Sequence, residues 1–329
     1  MILTSAVFFA IVLIELIGLK YKKDIESNFF DLKTANVLRG VCSIIVIMVH
    51  IPAHYTNKVQ DMIGSFAFVG VTLFFMMSAY GLVISVKTKE NYLKGFFRKR
   101  ISAILIPLLI SVAVKLIFGL NWRSGGVMFV AVLLLFYVLF WLVNRFVKWQ
   151  HKNSIIVLFV VLYSLFGYLF VKDSALQDFG FSWYYEAMGF AYGILFAQFQ
   201  DKFAAFAKNK YFLKLSMFVL CSGLLGVLYL KFKTVYFLGE YLLKCMLGIA
   251  ITALVMMIVT HFRLGNRLSV ELGKISFEIF LYHGFVISLL NKYTHFSSGL
   301  FIFLSVLLTI ALAFVMNRLD SIIVKRLKN

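Results

Sequence analysis

Proline, cysteine and charged residues are all scarce in this sequence. Only two prolines, Pro52 and Pro107, occur in 329 residues, and charged residues make up 14% of the chain against 62% hydrophobic residues. A soluble domain of this length could not hide so much apolar surface from water, so a soluble globular fold is excluded. The cysteines at 42, 221 and 245 fall inside apolar segments, with neither metal-ligand spacing nor a disulfide framework.

Apolar runs of about 18 to 22 residues recur from end to end, each long enough to span about 30 Å of hydrocarbon as a helix. They predict an all-α fold, a polytopic bundle of about eleven transmembrane helices. The first run lacks a preceding basic residue and a cleavage site, which favours an uncleaved anchor over residues 1–30 and one transmembrane domain over residues 31–329. The predicted spans are residues 2–19, 38–55, 63–86, 101–119, 126–144, 154–171, 182–199, 213–230, 241–261, 275–290 and 299–317.

Lysine and arginine outnumber aspartate and glutamate by 33 to 14, which gives a net charge of +19. Nucleic-acid binding would need these charges on one continuous face, but they lie in short loops between apolar runs, so no nucleic-acid partner is expected. Alternate loops hold 25 of them on one side and six on the other, and the richer side faces the cytoplasm. The bias predicts an amino terminus outside and a carboxyl terminus in the cytoplasm.

Histidines occur at membrane depth, where an ionisable side chain is costly and is a functional candidate by default. His50 follows Arg39 by eleven residues, so a continuous helix would put both on one face, about 16 Å apart along the axis. His54 would share that face one turn further on, and Pro52 predicts a kink. His283 lies at about the same depth in a later span, so we expect His50 and His283 to form one buried polar site. The alternative for each is a hydrogen-bonded packing residue.

The third span and the loop after it carry the next candidates. Ser78 can contact a buried ligand, although small residues in this span also suit a close helix contact. The cluster Arg98-Lys99-Arg100 suits the phosphates of a cytoplasmic donor, because guanidinium groups bind phosphate well. The positive bias of cytoplasmic loops explains the same cluster without a ligand.

Aromatic residues and one acid begin the seventh span. Trp183 and Tyr184, with Glu186, suit a sugar ring, which needs stacking faces and hydroxyl acceptors. An interfacial aromatic belt is the alternative. We therefore treat these three residues, together with His54, as candidates for acceptor binding.

Taken in order, these residues resemble the acyltransferase-3 family of bacterial membrane O-acyltransferases. The resemblance runs from residue 31 to about residue 290, and Ala79 and Ala103 depart from the family's commoner glycine and arginine. The predicted first span lies outside the family's ten-helix core. The motifs are Leu38-Arg39-Gly40 with His50, Gly70-Val71, Phe74-Phe75-Met76-Met77-Ser78-Ala79-Tyr80, Arg98-Lys99-Arg100 before Pro107, and Tyr282-His283.

The resemblance implies transfer of an acetyl group from cytoplasmic acetyl-CoA to a hydroxyl of an envelope or exported glycan, in the bacterial cytoplasmic membrane. It implies His50 as the catalytic histidine, Arg39 as its essential partner and the basic cluster as the segment near the CoA phosphates. His50 would be a general base or a transient acetyl carrier. No metal is expected, because no carboxylate or cysteine lies near His50 and His54 to complete a metal site.

Other function classes fit parts of the same pattern. A lipid-linked glycan flippase or transporter would have similar helices and a polar interior, although no inverted repeat is visible. A membrane acyltransferase of the other large family also uses an intramembrane histidine, but it would not explain the spacing of Arg39 and His50. The acceptor, and any partner from envelope-glycan biosynthesis, are not identified by the residues.

Overall fold

The computed structural model of this chain is almost entirely helical, as its apolar runs predict. The described residues are 5–6, 9–10, 13, 17–25, 29–122, 126–172, 183–293 and 295–328. The helices are α1 (Leu32–Val49), α2 (Lys58–Ser65), α3 (Ala67–Thr88), α4 (Ser102–Ile117), α5 (Val127–Phe146), α6 (Lys152–Phe166), α7 (Tyr184–Gln198), α8 (Gln200–Lys208), α9 (Tyr211–Phe232), α10 (Leu243–His261), α11 (Arg267–Lys274), α12 (Ser276–Tyr293) and α13 (Ser298–Lys328). Single π-helical turns precede α4, follow α6 and precede α10, at Phe97–Ile101, Gly167–Val171 and Leu238–Leu242.

Within the described residues, eight helical segments are long and apolar enough to cross a membrane. A ninth candidate is the pair α11 and α12, which bends by 69°. The helix in the predicted span 182–199 is shorter, at 15 residues. Most of the predicted span 2–19 lies outside the described residues, so the total of eleven and the domain boundary at residue 30 stay predictions. The chain is a polytopic helical membrane protein.

Helix α3 lies at the centre of the bundle, with buried side chains all round. The small residues that allow a close approach are on its neighbour α7. A Cβ added to Gly189 would lie 2.0 Å from the Thr72 carbonyl oxygen, and one on Gly193 would lie 2.2 Å from the Met76 carbonyl oxygen. Glycines four residues apart let two backbones pack directly, as small residues do in membrane helices. Gly81 of α3, by contrast, faces open space.

A short strand pair joins distant parts of the chain. Strand β1 (Lys20–Tyr21) pairs antiparallel with β2 (Phe262–Arg263), which follows α10 directly. Large apolar side chains stay exposed on the outer helices, as Leu158 of α6 and Leu220 of α9 do. In a membrane these side chains face lipid, where they need no cover.

Candidate active site

His50 lies at the carboxyl end of α1 and not within a longer helix. The sequence predicts a kinked helix through Pro52, but α1 ends at Val49, and Pro52 precedes a 3₁₀ turn over Ala53–Tyr55. The proline has no N–H with which to continue the helix. His54 belongs to that turn and is exposed, so the prediction that it shares a helical face with His50 is wrong.

A side chain replaces the helical hydrogen bond that the proline cannot make. In a continuous helix the Met48 carbonyl would accept from the N–H of residue 52, and here it accepts from the side-chain amide of Gln60. Gln60 belongs to α2 and is only 2% exposed. This bond joins α2 to the end of α1. It also gives the Met48 carbonyl a donor, which a buried carbonyl needs because leaving it unpaired costs free energy. The chain therefore holds His50 at a capped helix end.

The rings of His50 and His283 are in contact, as their matching depth predicts. Their centroids are 4.6 Å apart at an interplanar angle of 61°. Each Nδ1 lies 2.8 Å from a carbonyl oxygen of its own helix, that of Val46 for His50 and that of Phe280 for His283. A carbonyl only accepts, so each Nδ1 donates, and in the neutral imidazole Nε2 is then the acceptor nitrogen. Both imidazoles are thus held with an acceptor nitrogen on the far side of the ring.

His50 and His283 differ in their surroundings. His50 is exposed to a cavity, whereas His283 is 1% exposed, and its Nε2 has no hydrogen-bond partner among the described residues. Lys115 of α4 is fully buried and close enough to act electrostatically on His283. A lysine inside an apolar span is itself a sequence signal of function, but the sequence gives no indication of its neighbour. In the described part of the chain, no group of three histidine, cysteine, aspartate or glutamate side chains could hold a metal ion.

The cavity beside His50, which we name the histidine cavity, has a volume of about 460 Å³. Three of the four residues predicted to bind an acceptor line it, namely Trp183, Tyr184 and Glu186. His54 does not line it. Its wall consists of Val46, Val49, His50, Gly64, Ser65, Ala67, Phe68, Val71, Trp183, Tyr184, Tyr185, Glu186, Tyr229, Lys244 and Phe280.

Some polar groups on the residues that line the histidine cavity are not paired within the described protein. The indole N–H of Trp183 and one carboxylate oxygen of Glu186 are buried without a hydrogen-bond partner among the described residues. Lys244, which sequence analysis did not assign, lies 3.9 Å from the centre of the Tyr185 ring. Donors, an acceptor and aromatic faces in one cavity match the surface of a sugar, which presents hydroxyls and C–H faces.

A second cavity, which we name the arginine cavity, has a volume of about 420 Å³. It contains Arg39 and Arg100 together with Ser78, so the structure brings three predicted residues into one space. Tyr137 of α5 hydrogen-bonds Ser78 and lies near both arginines. Nothing in the sequence distinguishes Tyr137 from the other tyrosines. The wall consists of Asn36, Arg39, Phe74, Ser78, Arg100, Ala103, Ile104, Phe129, Leu133, Tyr137, Gly273, Lys274, Ser276, Phe277, Glu278 and Phe280.

The basic cluster divides within its π-helical turn. Arg100 points inward: its Nε donates to the Tyr92 hydroxyl at 2.7 Å, and its guanidinium lies 5.6 Å from the Tyr92 ring centre. Arg98 and Lys99 are exposed and line neither the histidine nor the arginine cavity. A π-helical turn changes which side chains face inward, and such turns are frequent at functional sites.

Two further cavities lie near Arg100. One of about 360 Å³ is also lined by Arg39 and Arg100. The other, of about 700 Å³, is lined by Tyr92 and by Lys94, Trp141 and Arg145, among others. Tyr92 therefore contacts Arg100 from the wall of the 700 Å³ cavity. Cations and aromatic rings extend from the arginine cavity to the loop before α4.

Comparison with known proteins identifies the chain at the level of its family. Residues 32–318 match the family described as "Acyltransferase domain", which is the acyltransferase-3 family. Neither the curated proteins nor the solved structures include a match. The matched region contains both cavities and both histidines of the ring pair. The chain belongs to the acyltransferase-3 family and is a multi-pass membrane acyltransferase.

Proposed function

We propose that this acyltransferase moves an acetyl group from cytoplasmic acetyl-CoA to a hydroxyl of an envelope or exported glycan, with His50 as the reacting base. One observation carries the proposal: His50 opens into a polar, aromatic cavity while its Nδ1 is bonded to the Val46 carbonyl. The lone pair on its Nε2 is free to take a proton from a substrate. A base fixed in one tautomer at the wall of a sugar-sized cavity suits a hydroxyl acceptor.

The donor enters from the arginine cavity. Arg39 and Arg100 supply two guanidinium groups in one space, and such groups bind phosphate with paired hydrogen bonds. The thioester then lies toward the histidine cavity, and the nucleotide end lies toward the cations of the neighbouring cavity at Lys94 and Arg145. Exposed Arg98 and Lys99 add positive charge at the surface. The charge bias of the loops supports a cytoplasmic position for this end of the bundle, in the cytoplasmic membrane.

In the direct route, the acetyl group moves in one step from CoA to the acceptor. Nε2 of His50 takes the hydroxyl proton of the acceptor, and the oxygen attacks the thioester carbonyl carbon. The C–O bond forms, the C–S bond breaks, and the proton returns from His50 to the thiolate of CoA. Alternatively, Nε2 itself attacks the thioester carbonyl carbon, and the C–S bond breaks to release the CoA thiolate. The acceptor oxygen then attacks the acetyl group on His50, the N–C bond breaks, and the hydroxyl proton goes to the thiolate. His283 positions the His50 ring through their edge contact.

Direct mass balance tests this function. Native membrane vesicles containing the protein are incubated with acetyl-CoA carrying a labelled acetyl group. We expect equal molar amounts of free CoA and of labelled acetyl ester in the glycan fraction, because each transfer releases one CoA. A transporter would move the glycan without releasing CoA. Label recovered only as free acetate would contradict transfer to a glycan.

Trp183→Ala and Glu186→Gln are expected to weaken binding of the acceptor without affecting binding of the donor. Trp183→Ala removes an indole N–H, and Glu186→Gln replaces an acceptor oxygen by an amide N–H donor, at atoms that have no partner in the described protein. The loss therefore appears in the KM for acceptor. We expect increases of about tenfold or more, with the KM for acetyl-CoA unchanged. Initial rates at varied acceptor and donor concentrations measure both. A Trp141→Ala variant removes an indole from the 700 Å³ cavity beside Tyr92 instead, and an acceptor effect of equal size there would contradict the assignment.

A further inference from the structure

One aromatic side chain lines both the histidine cavity and the arginine cavity. Phe280 of α12 contributes to the walls of both, while Arg39 and Arg100 line only the second and His50 lines only the first. The Phe280 side chain is 3% exposed. Phe280 is the residue that the two cavities share in the described part of the chain, so an acyl group that passes directly from one to the other passes beside its ring.

The Phe280 ring is held by contacts on several sides. It lies 4.7 Å from the Phe129 ring and 5.9 Å from the Phe74 ring, and both of these also line the arginine cavity. The Phe280 carbonyl accepts the Nδ1 hydrogen of His283, whose ring is 5.9 Å away. The three phenyl rings make an apolar partition, which we name the phenylalanine partition.

Space for this ring depends on a glycine. A Cβ on Gly126, at the start of α5, would lie 2.0 Å from Phe280 Cε1, which is far inside van der Waals contact. The backbone at Gly126 has a φ of +84°, a conformation that other residues rarely adopt. Here the glycine supplies both the backbone turn and the room for the ring. The side of the Phe280 ring that faces Gly126 therefore has no spare volume.

We propose that Phe280 is the residue that limits the donor to short acyl groups. The inference rests on the proposed function, because it requires a donor in the arginine cavity and a reacting base in the histidine cavity. A two-carbon acyl group passes beside the ring, whereas a longer chain has no room between Phe280, Phe129 and Phe74. A phenyl wall discriminates by size alone, so shortening it widens the range of donors.

The first experiment tests the partition without measuring catalysis. A reporter cysteine replaces Val49, which lines the histidine cavity, in a protein whose Cys42, Cys221 and Cys245 are alanine. A membrane-impermeant maleimide is added to right-side-out and to inverted vesicles. We expect labelling from one face only with Phe280 present and from both faces in the Phe280→Ala variant. Labelling from both faces with Phe280 present, or from one face in both proteins, would overturn the partition.

The second experiment measures donor range. Vesicles from the native membrane receive acetyl-CoA or hexanoyl-CoA with a labelled acyl group, and transfer to the glycan fraction is measured. In Phe280→Ala we expect the ratio of hexanoyl to acetyl transfer to rise about tenfold or more, and in Phe280→Leu to rise less. Phe285→Ala is the matched control: this buried phenylalanine lies on the same helix, packs on Phe118 and lines neither cavity.

The outcomes separate this inference from the function beneath it. If acetyl transfer occurs but the donor ratio in Phe280→Ala stays at the value of Phe285→Ala, the inference about Phe280 is wrong and the function stands. If no acyl group is transferred by any form of the protein, the proposed function is wrong, and the assignment of acyl length falls with it. Labelling of Val49→Cys then still reports whether the partition exists. Detergent gel filtration of each variant shows whether it remains folded, and Phe280→Leu, which keeps most of the side-chain bulk, tests the inference with the smaller disturbance.

Discussion

Replacing His50 with alanine is expected to lower acetyl transfer about a thousandfold while the protein stays folded in the membrane. The ring lies at the end of α1 and faces a cavity, so its loss leaves no buried void. The change removes Nε2, the nitrogen that takes the acceptor proton. The other ring nitrogen, Nδ1, cannot take it because Nδ1 is bonded to the Val46 carbonyl. Initial rates of labelled acetyl transfer from acetyl-CoA, normalised to the amount of monodisperse protein in detergent, measure the effect.

His54→Ala is the matched control for the loss of a histidine. It lies four residues away in the 3₁₀ turn and lines no part of the histidine cavity, so we expect a rate close to that of the unchanged protein. Near-normal transfer in His50→Ala would contradict the mechanism. An acetyl group found on the intact protein after incubation with acetyl-CoA alone, and absent in His50→Ala, would identify His50 as a carrier and not as a base.

The sequence predicts the helices and the histidine pair for physical reasons that apply locally. Apolar length determines where a span can lie, and the long helices from α3 to α12 follow the predicted spans within a few residues. The last helix, α13, begins where predicted but continues to Lys328, eleven residues past the predicted end at residue 317. A regular rise along each helix predicted that His50 and His283 lie at one depth, and the rings are in contact. That prediction is confirmed because a regular helix leads from one end of each span to its histidine, so the rise per residue gives the depth of the ring.

The errors come from places where one helix ends or meets another. His54 was misplaced because helical periodicity was extended past Val49, whereas the long-range bond from Gln60 to Met48 lets the helix stop there. The third span does make a close helix contact, but the glycines that allow it are Gly189 and Gly193 of its partner α7, since packing partners are not encoded in one span.

The cavities could not be predicted from local sequence patterns. The histidine cavity is lined by residues from α1, α2, α3, α7, α9, α10 and α12, so its shape exists only after those helices pack. The sequence shows Lys244 as a charge at the edge of a span, but it does not show that Lys244 contacts the Tyr185 ring. For Tyr137 no signal exists, since one tyrosine in an aromatic-rich helix looks like any other. Sequence supplies the chemistry of candidates, and helix packing decides which of them share a space.

Arg39→Ala is expected to raise the KM for acetyl-CoA about thirtyfold, equivalent to ~2 kcal/mol, with a smaller change in kcat. The guanidinium lies with Arg100 in the arginine cavity, some eleven residues of helix from His50, so it can hold a donor phosphate but not touch the reacting carbon. Arg39→Lys keeps the charge and loses the planar fork, and we expect an intermediate KM. Initial rates at varied acetyl-CoA concentration measure both parameters.

Other arginines make this prediction specific. Arg100→Ala should match Arg39→Ala, because both side chains line the same two cavities. Arg98→Ala should have a smaller effect that disappears at high salt, as expected of an exposed charge. Arg267→Ala, at an exposed position of α11 outside these cavities, removes the same group and should leave the KM unchanged. If all four variants raised the KM equally, general positive charge and not the arginine cavity would bind the donor, and Arg39 would have no special place in it.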